Sequence, residues 1–165
     1  MKLEVNYNIE DNRWNEYLNF NEFDKFIENI FNATVDELKY ILNKKNTIEL
    51  SITLTNDENI RKINCEYRGI DKPTNVLSFP LFENEFLREY NKSKYISLGD
   101  IILSIETVIA EANEQNKTFI EHLTHLIVHS ILHLFGYDHI NDDEANIMEG
   151  LEIKILEKLN IKNPY

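Results

Sequence analysis

Alternating apolar and polar residues predict β-strands in several parts of the chain. Near the start, Leu3, Val5 and Tyr7 alternate with polar neighbours, as in a strand with one buried face. A later apolar run stops at Pro80, which cannot donate a hydrogen bond to a sheet and is expected to end its strand. The predicted strands lie at residues 2–8, 47–55, 76–79 and 96–105.

Apolar residues that recur every three or four positions predict helices between these strands. This spacing continues from Trp14 to Leu42, where the sequence NAT at 32–34 is expected to divide it into two helices. Asp57 is the expected N-cap of the next helix, and Thr118 with Glu121 forms a capping box. Other helices are predicted from near residue 106, from 118 to about 135 and from 142 or 143 to about 159, and residues 82–95 are predicted to form a polar loop.

The order of these elements predicts the fold class. Strands and helices are interleaved, which indicates an α+β fold with a mixed central β-sheet packed with helices. No repeat or low-complexity linker is present, and only three prolines and four glycines interrupt the pattern. A chain of 165 residues can bury one hydrophobic core, so we predict a single domain over residues 1–165.

Composition indicates a folded, soluble protein with a strongly acidic balance. Hydrophobic residues make up 42% of the chain and charged residues 28%, as in globular proteins. Lys and Arg number 17 and Asp and Glu number 29, so the net charge is −12, which argues against a broad nucleic-acid-binding surface. Between Arg61 and Lys72, however, four basic residues and two acidic ones leave a local charge of +2.

Three features predict a cytoplasmic protein with no membrane partner. Cys65 is the only cysteine, so no intrachain disulfide can form and a reducing compartment is expected. The first residues, MKLEVNYNIEDN, are too polar for a signal peptide. No apolar run approaches the roughly 20 residues that span a bilayer.

The stretch HSILHLFGYDH at residues 129–139 holds three of the five histidines. On a helix His129 and His133 lie on one face, one turn apart. Gly136 suits the left-handed residue after a helix end, so the chain can fold back and bring His139 to the same ion. Three imidazoles and one open coordination position are usual for catalytic zinc, whose bound water has its pKa lowered towards about 7. The alternative is a helix face that carries histidines by chance. The glycine between the second and third histidines argues against this alternative.

The spacing H-x-x-x-H-x-x-G-x-x-H is also that of the metzincin peptidases, with one difference. Metzincins have a glutamate general base after the first histidine, whereas this chain has Ser130. A hydroxyl cannot take a proton as a carboxylate does, so the ligand set is present without the base of a peptidase. Three histidine ligands suit zinc, and also nickel, copper or iron.

Further candidates lie beside these ligands. His122 and His125 precede His129 on nearly the same helical arc, and one or both are expected to be solvated or to support a ligand; His125 is also a candidate for phosphate contact. Asp138 is equally compatible with holding a histidine N–H and with stabilising the turn.

Four stretches resemble the YbeY family of bacterial endoribonucleases, also called rRNA maturation factors. The histidine stretch is similar to the family signature H-G-x-L-H-L-x-G-Y-D-H, with Ser130 where glycine is usual. YRGIDKPTNVLSFP at 67–80 resembles the family's Y-R-x-x-D-x-x-T-D-V-L-S-F-P, with Asn75 where aspartate is common. LGDIILS at 98–104 and DEANIMEGLEIKIL at 143–156 resemble the family's next strand and closing helix. Residues 11–46 match no motif that we can name.

This resemblance implies a function and a set of site residues. It implies that His129, His133 and His139 bind one zinc ion and that Arg68 matches a functionally important arginine. It implies a zinc-dependent endoribonuclease that cleaves single-stranded RNA, with roles in maturation of the 3′ end of small-subunit (16S) ribosomal RNA and in ribosome quality control. The implied partners are ribosomal RNA, the small ribosomal subunit or its proteins, and a ribosome-associated GTPase.

The chemistry of phosphodiester cleavage is compatible with these assignments. Negative charge develops on the phosphate oxygens in the transition state, and the guanidinium of Arg68 could grip two of them. The alternative for Arg68 is a structural ion pair, for example with Asp71. Candidates for substrate binding are Lys72, His125 and Ser78, and Asp100 is a weaker candidate base.

Two other functions fit the same residues. One is a metallopeptidase related to the metzincins, and the other is a non-catalytic ribosome-binding module whose metal fixes the fold. The sequence leaves open which metal binds and whether water or the 2′-hydroxyl of the RNA attacks the phosphorus.

Overall fold

A four-stranded mixed sheet organises the fold. It is seen in a computed structural model that describes residues 1–38, 46–82 and 85–165. The strands are β1 (Lys2–Ile9), β2 (Thr47–Thr55), β3 (Val76–Pro80) and β4 (Tyr95–Ser104). The sheet order is β1-β2-β4-β3, in which β1, β2 and β4 are parallel and β3 runs antiparallel to β4. The predicted α+β class and mixed sheet are therefore confirmed.

Helices connect and cover these strands. They are α1 (Phe23–Leu38), α2 (Asp57–Arg68), α3 (Phe86–Tyr90), α4 (Ile105–Glu114), α5 (Phe119–Leu134) and α6 (Asp142–Lys158), with a 3-10 turn at Asn12–Glu16. Helix α4 begins within one residue of its predicted start, and α5 and α6 begin and end within about one residue of their predicted limits. None of the helices in the described part of the chain is long and apolar enough to cross a membrane.

Helix α1 corrects the prediction that residues 32–34 divide this segment. The helix runs without interruption through Asn32, Ala33 and Thr34. Thr34 is buried, and its hydroxyl donates to the Ile30 carbonyl at 2.8 Å, so this polar group is satisfied within the helix. The end of the predicted segment, Ile41 and Leu42, lies outside the described residues.

Helix α3 corrects the prediction of a polar loop at residues 82–95. Phe86 and Tyr90 lie one turn apart, are both buried, and stack with ring centroids 5.6 Å apart. Two apolar side chains on one face are enough to hold a single turn against the core, although the segment is polar by composition.

The cap of α2 lies one residue earlier than predicted. Asn56 is the N-cap, and its side chain accepts from the Asn59 amide at 3.0 Å. The Asp57 carboxylate instead accepts from the hydroxyls of Ser104 and Thr107, at 2.5 and 2.6 Å. Asp57 therefore joins the start of α2 to the start of α4.

Helix α5 lies at the centre of the core. It packs against β3, β4, α1, α4 and α6. Its capping box is formed as predicted: the Glu121 amide donates to the Thr118 hydroxyl at 3.1 Å, and the Thr118 amide donates to the Glu121 carboxylate at 2.9 Å. Residues on this helix are therefore held rigidly by neighbours on several sides.

A close approach of two strands fixes the sheet beside α5. Gly99 of β4 has φ +141°, and an added Cβ there would lie 2.3 Å from the Phe79 carbonyl oxygen and 3.0 Å from a methyl of Leu134. Only glycine adopts this conformation readily. Gly99 therefore lies where β4 meets both β3 and α5, which form opposite walls of the cleft described below.

Candidate metal centre and cleft

The three histidines of the predicted ligand set converge at the end of α5. His129 and His133 lie one turn apart on the helix. After Leu134 the chain turns back at Gly136, which has φ +94°, and the Gly136 amide donates to the His133 carbonyl at 2.9 Å. This turn brings His139 beside the other two imidazoles.

The spacing of these rings suits a single cation. One nitrogen from each histidine lies within 4.8 Å of the others, and they form a possible metal-ligand group within the described ranges. The Nε2 atoms of His129 and His133 are 3.0 Å apart. His139 completes the group, with its ring centroid 5.5 Å from that of His129 and 5.1 Å from that of His133.

Glu152 of α6, which the sequence reasoning missed, holds the first of these rings. Its Oε1 lies 2.5 Å from Nδ1 of His129. Its Oε2 accepts a hydrogen bond from the Tyr165 hydroxyl and lies 3.7 Å from Nε2 of His125. When Nδ1 of His129 donates to this carboxylate, Nε2 carries the free lone pair and faces the other ligands.

A signal for Glu152 was present in the sequence. It follows Met148 by four residues and precedes Ile155 by three, and all three lie on the buried face of α6. A carboxylate on a buried face needs partners, because an unpaired buried charge is costly. Glu152 is completely buried and finds its partners in the histidines and Tyr165.

The protonation of these groups favours metal binding. Burial lowers the pKa of His133 to about 4, helped by the neighbouring imidazoles of His129 and His139, so this ring is neutral near pH 7. Burial raises the pKa of the Glu152 carboxyl, but its contacts with His125, His129 and Tyr165 outweigh that effect and lower the pKa to about 2. A neutral His133 and an ionised Glu152 fit a site for a divalent transition metal.

A cleft of about 750 Å³ contains this ligand group. One wall is the face of α5 that carries His122, His125, His129 and His133, and the opposite wall is β3 with the residues just before it. Arg68, Ser78 and His125, three of the predicted site residues, line the same cleft. Lys72, the fourth, does not line it and is exposed.

Arg68 is free to bind a ligand. It is the last residue of α2, is exposed, and has no hydrogen-bond or ion-pair partner among the residues described. The alternative ion pair to Asp71 is absent, because Asp71 pairs with Arg61 at 2.8 and 3.0 Å. Of the four basic residues between Arg61 and Lys72, Arg68 is the one that lines the cleft.

A second polar cluster lies in the cleft, beyond the ligand group. His122 was expected to be solvated or to support a ligand, but it is buried and its Nε2 lies 2.6 Å from Oε2 of Glu111. The Asn75 amide donates to both oxygens of the same carboxylate, at 3.0 and 3.2 Å. Burial raises the pKa of Glu111, but the hydrogen bonds from His122 and Asn75 outweigh it and leave the pKa below its ordinary value.

Local contacts decide the role of Asp138, which the sequence left open. Asp138 stabilises the turn, because its Oδ1 accepts from the His139 amide at 2.8 Å. The role of holding a histidine N–H belongs to Glu152 instead. Ser130, which stands where metzincins have their glutamate base, is fully buried, and its hydroxyl has no partner among the described residues.

Comparison with known proteins identifies the family. Residues 8–160 match the family model described as Endoribonuclease YbeY. The chain belongs to the YbeY family. A relative named Endoribonuclease YbeY from Agrobacterium fabrum is 45% identical over 99% of this chain and 95% of its own length. One from Sinorhizobium fredii is 56% identical over 71% of this chain, an alignment that spans 65% of that relative.

A solved structure shares the fold. The solution structure of TM1509 from Thermotoga maritima superposes with a TM-score of 0.55 at 21% identity. The match covers 95% of this chain and 92% of that protein. The arrangement of sheet and helices is therefore one that a distant sequence also adopts.

Proposed function

We propose that this member of the YbeY family is a metal-dependent endoribonuclease that cleaves single-stranded RNA. One observation carries the proposal: three converging imidazoles line one cleft together with an arginine that has no partner among the described residues. Relatives bearing the name Endoribonuclease YbeY support the same activity, among them one that is 56% identical over 71% of this chain.

Zinc is the metal that we propose for the site. His129, His133 and His139 would hold it, and Glu152 orients the first of them. A zinc ion bound by three nitrogen ligands supplies Lewis-acid charge and keeps a coordination position for water or substrate. Nickel or another divalent transition metal suits the same ligands.

Arg68 would bind the phosphate that is cleaved. Its guanidinium is always charged and offers paired donors that match two phosphate oxygens. Because none of its N–H groups donates to another described side chain, Arg68 can stabilise the charge that develops on these oxygens in the transition state. Ser78 and His125 line the same cleft and would contact the RNA backbone.

The biological substrate that we propose is the 3′ end of small-subunit ribosomal RNA. The support is membership of the family and the resemblance of the four sequence stretches described above. The proposal includes a cytoplasmic location, the small ribosomal subunit or its proteins as partners, and a ribosome-associated GTPase. Lys72 is exposed outside the cleft, so any contact it makes with RNA would lie beyond the ligand group.

The proposal is tested with purified protein and unstructured RNA. The metal-free protein should be inactive, and added Zn²⁺ should restore internal cleavage. Arg68→Ala should bind metal and keep its thermal stability yet lose about a hundredfold or more in kcat/KM, the size seen when one transition-state donor is removed. Arg61→Ala is the matched control, because Arg61 lies on the same helix but pairs with Asp71 away from the cleft.

Two outcomes would replace the proposal. Metal-dependent cleavage of unstructured peptides with RNA left intact would establish a metallopeptidase. If no RNA is cut, and His139→Ala unfolds the domain as fully as metal removal does, the metal has only a structural role in a ribosome-binding module.

A further inference from the structure

We propose that Glu111 reads the exocyclic amino group of one nucleobase of the bound RNA, so that the cleft favours cytosine over uracil and adenine over hypoxanthine at that position. This inference rests on the proposed endoribonuclease function. It assigns a ligand to the second polar cluster, formed by Asn75, Glu111 and His122, which no step of the cleavage chemistry uses.

The carboxylate of Glu111 is fixed in one orientation. Nε2 of His122 lies 2.6 Å from Oε2, and the Asn75 amide spans both oxygens. Asn75 is itself held, because its Oδ1 accepts from the Val76 amide at 2.7 Å. A pre-oriented acceptor loses little entropy when a ligand binds, which is typical of recognition sites.

One acceptor position of this carboxylate remains open to the cleft. Each carboxylate oxygen can accept about two hydrogen bonds. Oε2 accepts from both His122 and Asn75, whereas Oε1 accepts from Asn75 alone among the residues that the structure describes. The Glu111 side chain is 28% exposed and lines the cleft, so the free position on Oε1 can meet a ligand.

The distance from the metal ligands places a neighbouring nucleotide at Glu111. His122 precedes His129 by seven residues, which is about 10 Å along a helix that rises 1.5 Å per residue. His122 fixes the Glu111 carboxylate at its own end of the cleft. Glu111 therefore lies away from the ligand group along the direction of the helix, where it can contact a nucleotide beside the one that reacts.

The negative charge selects what can bind there. A carboxylate repels phosphate oxygens, so it opposes the RNA backbone and favours hydrogen-bond donors. Unpaired bases present such donors on their Watson–Crick edges, and Glu or Asp commonly accepts from the amino group of cytosine. Uracil carries a carbonyl oxygen at the same place, which the carboxylate repels.

The test uses short oligouridines in which one cytidine is moved through every position. For the wild-type protein with zinc, cytidine at one position should raise kcat/KM by about tenfold to a hundredfold over uridine, the range for a hydrogen bond to a charged group. Glu111→Gln should abolish this preference, because an amide can turn either its donor or its acceptor to the base. Glu114→Gln, an exposed change on the same helix, should retain it.

A second measurement tests the same inference with the wild-type protein alone, so that its result does not depend on the folding of a variant. Replacing adenosine by inosine at the preferred position of a wild-type substrate deletes the amino group and should lower kcat/KM by a similar factor. Equal cleavage of cytidine and uridine, or of adenosine and inosine, at every position overturns the inference and leaves the endoribonuclease proposal standing. If the wild type cleaves none of these RNAs, the proposed function itself has failed.

Discussion

Glu152 shows how one buried side chain can organise a site. A carboxylate that is completely buried is unfavourable unless it is paired, and here it contacts His125, His129 and Tyr165. Its hydrogen bond to Nδ1 fixes which nitrogen of His129 is free to bind a cation. The cost of burying the charge is thereby offset by contacts that also prepare the ligand group.

Replacing this carboxylate by an amide should weaken metal binding. In Glu152→Gln the side chain keeps its size but loses the charge that holds the His129 N–H. We expect the affinity for Zn²⁺ to fall about tenfold to a hundredfold. Competition with a fluorescent chelator at pH 7.5 measures this directly.

Glu149→Gln is the control for this change. Glu149 lies on the same helix but is exposed. The Glu149→Gln protein should therefore bind Zn²⁺ with the affinity of the wild type. Wild-type affinity in Glu152→Gln would mean that His129 is positioned by its packing alone.

At the scale of elements, β3, β4 and α5 depend on one close backbone approach. Any side chain at Gly99 would meet the Phe79 carbonyl and would also have to adopt φ +141°. Gly99→Ala should therefore lower the free energy of unfolding by about 2–4 kcal/mol. Urea unfolding followed by circular dichroism gives the value.

Gly150 provides the opposite case in the same chain. It lies within α6, and an added Cβ would meet no atom within 4 Å. Gly150→Ala should raise the free energy of unfolding by about 0.5–1 kcal/mol, because alanine favours the helix. If both substitutions destabilise the protein equally, the close approach at Gly99 is not the cause.

The elements also show what sequence patterns can and cannot predict. The capping box at Thr118 and the period-two alternation of β2 are local signals, and both were read correctly. Helix α3 depends on two aromatic side chains that reach the core, a tertiary effect that its polar composition conceals. The site divides similarly: the His129 to His139 spacing is local, whereas the partners of Glu111 and Glu152 lie 11 to 36 residues away along the chain.

At the scale of the whole molecule, an acidic chain is proposed to bind a polyanion. The net charge is −12, and Arg61, the nearest arginine on α2, is neutralised by Asp71. In the proposed complex, Arg68 and the cation held by the three histidines would attract the RNA in the cleft, while the net negative charge of the chain opposes the phosphates.

This arrangement predicts a weak dependence of binding on salt. Each phosphate neutralised in single-stranded nucleic acid contributes a slope of about −0.7 to a plot of log K against log salt concentration. We expect a slope between about −0.7 and −1.5 for the binding of zinc-loaded protein to an oligonucleotide whose sugars lack the 2′-hydroxyl. Fluorescence anisotropy between low and moderate salt provides the measurement.

The variants sharpen this prediction. Arg68→Ala should reduce the magnitude of the slope by about 0.7, and Arg61→Ala should leave it unchanged. A wild-type slope steeper than about −3 would mean that a basic surface outside the cleft contributes to binding.

The three histidines of the ligand group are not held equally firmly by the fold. His129 and His133 belong to the core helix, whereas His139 is exposed and follows a glycine turn. Loops open at lower free energy than core helices, so His139 should detach many times for each global unfolding event. Exchange of the ion with an external chelator should therefore be faster than unfolding, at a rate set by the stiffness of the turn.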